Sequence, residues 1–152
     1  MADMGSQKKG DEACQQLGNN VEFVSCDVTN KEELREAFSN AEDLSLVINN
    51  AGIVAHDGAD LFENWEPMIG INVDGVVNGT RLALEAFERK PVEDGTSRVI
   101  LNVGSMAGLI PTTVMPVYTA TKYAVVGFTR AMHVAASKRY DPSIKKNFER
   151  PF

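Results

Sequence analysis

Apolar and polar residues alternate over positions 21–26, Val-Glu-Phe-Val-Ser-Cys, and this period of two predicts a short strand. The period then lengthens. Leu34, Ala37, Phe38 and Ala41 recur at helical spacing, predicting a helix over about 30–41, opened by a capping box in which Thr29 and Glu32 satisfy backbone donors. Residues 44–48 are nearly all apolar, which predicts a strand covered on both faces. Met68, Ile71, Val76, Thr80, Leu84 and Phe87 follow at intervals of three to five, marking a long helix from about 65 to 89. A polar loop over 91–96 leads to another apolar strand at 99–101. Pro116 opens the last helix, where its missing donor costs nothing, and Val125, Phe128, Met132 and Ala135 form its inner side to about residue 137. Residues 1–18 are polar and show neither a strand nor a Gly-rich turn. Residues 138–152 are basic, without period, and expected to be loosely ordered.

Strand and helix patterns that alternate in this way predict an α/β fold: a doubly wound parallel sheet with helices on both faces, in three αβα layers. A length of 152 residues suits one domain. The missing opening strand makes that domain, 1–152, look incomplete. Fifteen Lys and Arg against twenty-one Asp and Glu leave a formal charge of −6, which argues against nucleic acid or an anionic membrane as partner. The two cysteines, Cys14 and Cys26, stand in no metal-binding motif, so no metal site is expected and a reducing compartment, the cytoplasm, is the simplest setting. No apolar run approaches the roughly 20 residues of a membrane helix.

Ligands of open parallel sheets bind beyond the carboxyl ends of the strands. In this chain those ends read Asp27-Val28, then Asn49-Asn50-Ala51-Gly52, then Asn102-Val103-Gly104-Ser105. Tyr118 and Lys122, four apart in the last predicted helix, share one face. An ammonium about 5 Å from a phenol, at an effective dielectric of about 20, favours release of the phenolic proton by roughly 3 kcal/mol, which suits general acid–base chemistry. Ser105 lies thirteen residues upstream, at the end of the preceding strand, where a returning loop can bring its hydroxyl to the same place. His56 follows the Asn-Asn-Ala-Gly turn but is more simply a solvated loop residue.

Asn49-Asn50-Ala51-Gly52, Asn72-Val73-x-Gly75, Ser105 and Tyr118-x-x-x-Lys122, in that order, resemble the signatures of the short-chain dehydrogenase/reductase family over about residues 21–137. The resemblance implies a Rossmann-like fold and hydride transfer between a secondary alcohol or ketone and NAD, with NADP left open. It implies Tyr118 as acid/base, Lys122 as the group that activates it and holds the nicotinamide ribose, and Ser105 as the substrate-oxygen ligand. Asn72 would anchor a proton-relaying water. Asn49, Ala51 and Gly52 would lie along the adenosine ribose, and Asp27 and Val28 at the adenine. It further implies a homodimer built through the two long helices. The apolar loop Leu109, Ile110, Val114 and Met115 suggests a lipid-like alcohol. The family's Gly-rich phosphate loop, and the acidic or basic residue that chooses NAD or NADP, find no match. The alternative expectation is therefore a non-catalytic piece of such an enzyme, acting at most in association.

Overall fold

The computed structural model describes residues 2–18, 20–41, 43–54, 61–62, 64–90 and 98–139. The expected loop at 91–96, His56 and most of the expected tail lie outside them. The fold is α/β and Rossmann-like, with parallel strands and an open, incomplete sheet, as the alternating patterns predict. Among the described residues the strands pair as two ladders, within two compact units, 1–42 and 43–152.

The first unit corrects the reading of the amino terminus. Ala2–Asp3 is a strand, β1, paired in parallel with β2, Val24–Ser25, and the Cys26 amide donates to the Asp3 carbonyl at 3.0 Å. Between them runs helix α1, Gln7–Leu17. A two-residue strand cannot display alternation, and α1 is so polar that its apolar stripe is barely visible. Gly10 sits against the Phe23 ring, where an added Cβ would fall 2.2 Å from Cγ, so only glycine allows this approach. The helix stops at Gly18, whose φ of 104° suits a residue without Cβ and whose amide donates to the Cys14 carbonyl.

Helix α2, Lys31–Asn40, begins one residue later than the expected capping box. Asn30 is the cap, its Oδ1 accepting from the Glu32 and Glu33 amides at 3.1 and 3.3 Å. The Glu33 carboxylate reaches back to the Asn30 side-chain amide at 2.6 Å and to the Asp27 backbone amide at 2.9 Å. Thr29 turns the other way: its hydroxyl and its amide both donate to Asp27 Oδ1, at 2.8 Å each. Cys26 is buried, and burial with the nearby carboxylates of Glu33 and Asp27 pushes its thiol pKa up.

The second unit holds the ladder of β3, Leu46–Asn49, and β4, Val99–Asn102, parallel and in the register Leu46↔Val99 to Asn49↔Asn102. Among the described residues between them runs one helical path in three parts: α3, Trp65–Ile69, a wider π turn at Gly70–Asp74, and α4, Gly75–Arg89. Met68, Val76, Thr80, Leu84 and Phe87 are buried, as their spacing predicts. A short 3-10 turn, Met106–Gly108, follows β4, and α5, Pro116–Arg139, ends the described chain. On α5 the inner side is Thr121, Lys122, Val125, Val126, Thr129 and Ala136; Ala135, expected inside, is exposed. The expectation that β3 is covered on both faces is also corrected. Leu46 and Ile48 are 50% and 52% exposed, while α4 packs against β3 on the side of Asn49. No helix among the described residues is long and apolar enough to cross a membrane.

Candidate active site

The β3–β4 register sets Asn49 opposite Asn102 at the carboxyl end of the ladder. Asn49 Nδ2 donates to Asn102 Oδ1 at 2.8 Å and to the Thr80 hydroxyl at 3.2 Å, and Thr80 donates to Asn102 Oδ1 at 3.3 Å. Asn102 Nδ2 then donates to the Thr129 hydroxyl at 3.0 Å, which passes its own proton to the Val125 carbonyl at 2.8 Å. This chain of amides and hydroxyls ties α4 and α5 to the strand ends. Buried polar groups are costly unless paired, so a connected network of this kind fixes one arrangement. The α4 backbone comes so near that a Cβ on Gly79 would fall 2.2 Å from Asn49 Oδ1.

One layer further out lie Asn72, Lys122, Tyr118 and Ser105. Asn72 belongs to the π turn, a local widening that re-aims side chains and is frequent at functional sites. It is 1% exposed and fully engaged: Oδ1 accepts from the Ile53 amide at 2.8 Å, and Nδ2 donates to the Ile53 carbonyl at 2.9 Å and to Thr121 Oγ1 at 3.1 Å. Thr121 in turn donates to the Tyr118 carbonyl at 2.7 Å. The loop after β3, the π turn and α5 are thereby joined through one side chain.

Lys122 is 6% exposed, and burial pushes its pKa down by disfavouring the charged form. Its Nζ donates to the Val103 carbonyl at 3.2 Å and lies 5.6 Å from the centre of the Tyr118 ring, within reach of a cation–π attraction. A Cβ on Gly52 would meet Asn72 Oδ1 at 3.4 Å and Lys122 Nζ at 3.6 Å, so Gly52, Asn72 and Lys122 converge on one point. Ser105 begins the turn after β4, its Oγ accepting from the Ala107 amide at 3.1 Å. That leaves its hydroxyl proton available to donate. The turn packs on α5 at Gly108, where a Cβ would fall 2.7 Å from the Lys122 carbonyl oxygen.

Of the residues singled out from the sequence, Gly52, Asn72, Tyr118 and Lys122 are thus brought together, with Ser105 on the turn that packs against the same helix. Ala51 is exposed beside Gly52. The Asn49 side chain faces inward to Thr80 and Asn102. Asp27 and Val28 follow β2 in the first unit, both half-buried, with Asp27 Oδ1 holding Thr29. The linking roles of Thr121, Thr80, Asn102 and Thr129 were missed. Nothing local marks them, since each acts across 22 to 53 positions of sequence or between elements.

A description of the short chain dehydrogenase family matches residues 4–141, and the chain belongs to that family. Among curated relatives, human 15-hydroxyprostaglandin dehydrogenase (NAD(+)) is 36% identical over 119 residues, 76% of this chain and 42% of its own length. Alcohol dehydrogenase 1 of Ceratitis capitata is 33% identical over 116 residues, 74% of this chain and 42% of its own. Serine dehydrogenase from Escherichia coli superposes with a TM-score of 0.75 at 29% identity, covering 88% of this chain and 62% of that one. A closed form of serine dehydrogenase complexed with NADP+ gives a TM-score of 0.76 at 28% identity, covering 89% and 55%. The chain spans less than half the length of the curated relatives named here. Its fold is that of an NAD(P)-dependent short-chain oxidoreductase.

Proposed function

We propose that this chain carries the hydride-transfer site of an NAD-dependent dehydrogenase acting on the secondary alcohol, or the corresponding ketone, of an apolar, prostaglandin- or lipid-like molecule in the cytoplasm. The observation that carries this reading is the convergence of Asn72 and Lys122 on Gly52, with the Lys122 ammonium beside the Tyr118 ring. The named relative that oxidises a hydroxyprostaglandin with NAD(+) supports the substrate class.

The residues fit a nicotinamide nucleotide. An ammonium has three N–H donors, and Lys122 spends one on Val103, which leaves donors for the vicinal hydroxyls of a ribose. Gly52, with no side chain, leaves the space in front of Lys122 Nζ unfilled. A nucleotide held there would supply the hydride acceptor. Tyr118 takes the hydroxyl proton of the alcohol as the hydride leaves its carbon, and returns it in the reverse direction. Ser105 donates to the same oxygen and fixes its position. Lys122 favours the ionised phenol, and Asn72, locked by Ile53 and Thr121, holds the backbone that a relay water would use. Asn49, Ala51 and Gly52 would lie along the adenosine ribose through their backbone, since the Asn49 side chain is taken up by Thr80 and Asn102, and Asp27 and Val28 would contact the adenine. Association with a second copy through α4 and α5 belongs to the same reading.

Tyr118→Phe keeps the ring and removes the proton carrier. It is expected to lower turnover of a secondary alcohol by at least about a hundredfold while NADH binding persists. Turnover within a few-fold of wild type would overturn the role given to Tyr118.

A further inference from the structure

Helix α5 carries two neighbouring stripes. Tyr118 and Lys122 form one, and Thr119 and Tyr123, each one residue further along, form the next. The second stripe grips the segment that follows Ser105. The Tyr123 hydroxyl donates to the Leu109 carbonyl at 2.6 Å. Thr119 Oγ1 accepts from the Thr112 amide at 3.2 Å and is 2.9 Å from the Thr112 hydroxyl. Two points three residues apart are thus fastened to two points one helical turn apart.

The fastened segment is also bonded within itself. The Gly108 amide donates to the Ser105 carbonyl, and the Leu109 and Ile110 amides both donate to the Met106 carbonyl, each at 2.9 Å. Residues 105–110 are therefore joined in one hydrogen-bonded turn, and Gly108 seats that turn on the Lys122 backbone. The apolar side chains beside this seat face solvent: Ile110 is 61% and Val114 71% exposed, and Met106 is exposed as well. Met106 and Ile110 thus stand exposed on a backbone that these bonds tie down, on the segment that begins at Ser105.

We propose that Thr119 and Tyr123 are positioning residues whose hydroxyls hold residues 105–112 in register with Tyr118 and Lys122, so that Met106 and Ile110 form a wall against which the apolar chain of the substrate packs. This rests on the dehydrogenase reading and deepens it. Neither hydroxyl touches the reacting atoms. Their effect falls on the grip on a long alkyl chain more than on the chemical step.

The test uses the full chain, with NAD+ as hydride acceptor and 2-decanol and 2-propanol as probes. Tyr123→Phe and Thr119→Val each remove one hydroxyl and keep the shape of the side chain. Combined, they are expected to raise KM for 2-decanol roughly tenfold, in keeping with two lost hydrogen bonds, with a much smaller change in kcat or in KM for 2-propanol. Thr119→Ser restores the Thr119 share. Hydrogen exchange at the Thr112 amide, read independently of turnover, is expected to speed up in Thr119→Val and to return in Thr119→Ser. Unchanged exchange in Thr119→Val overturns the grip, and a KM that rises equally for both alcohols overturns its role in chain recognition. If wild type binds 2-decanol without oxidising it, and the double variant binds it about tenfold more weakly, the inference stands and the dehydrogenase reading falls.

Discussion

Lys122 is the residue on which the site's electrostatics turn. Burial lowers its pKa, so the folded chain holds this proton less tightly than the unfolded chain, whose lysines titrate near 10.5. The unfolded state then binds more protons over the interval between the two values, and stability rises with pH across it. Below the lowered value the cost of the buried charge is present in full, and it vanishes as pH climbs to about 10.5. In Lys122→Met that cost is absent at every pH. The stability difference between wild type and variant, followed by chemical denaturation, is therefore expected to shift in favour of wild type through the alkaline range. A difference independent of pH would contradict the assignment. Lys122 and Tyr118 were legible in the sequence because four residues on a helix are one turn whatever the tertiary context. Asn72 was legible only through its resemblance to a family motif: its engagement with Ile53 and Thr121 depends on a π turn that no spacing rule announces.

At the scale of elements, long periodic segments spoke clearly and short ones did not. Both α4 and α5 show several turns of apolar spacing, and β4 is a compact apolar run. The pattern fails at β1, where two residues hold no period, and at β3, where an apolar run suggests cover that Leu46 and Ile48 do not have. The start of α2 fails for a different reason. Thr29 with Glu32 and Asn30 with Glu33 are both capping pairs in sequence, one residue out of phase, and only the fold selects Asn30. Asn30→Ala is accordingly expected to cost about 1 kcal/mol by loss of the cap, and Thr29→Ala distinctly less, as measured by urea denaturation. Equal losses, or a larger loss at Thr29, would restore the earlier frame.

For the whole molecule, the α/β class was legible from the alternation of patterns, whereas the polar lattice of Asn49, Thr80, Asn102 and Thr129 was not. It exists only once β3 and β4 adopt their register and two helices lie across them. The proposed pairing of two copies through α4 and α5 belongs to this scale too. Val77 is an exposed apolar residue on α4, and Val77→Asp is expected to shift a dimer toward monomer in sedimentation velocity. A wild type that sediments as a monomer throughout would remove the pairing from the account.

The central claim, that the carboxyl edge of the β3–β4 ladder receives a nicotinamide nucleotide beside Lys122 and Tyr118, is tested most directly by titrating the full chain with NADH and following nucleotide fluorescence. The account predicts saturable binding with a Kd on the order of micromolar, weakened in Lys122→Met and retained in Tyr118→Phe. No saturable binding up to about millimolar nucleotide would contradict it.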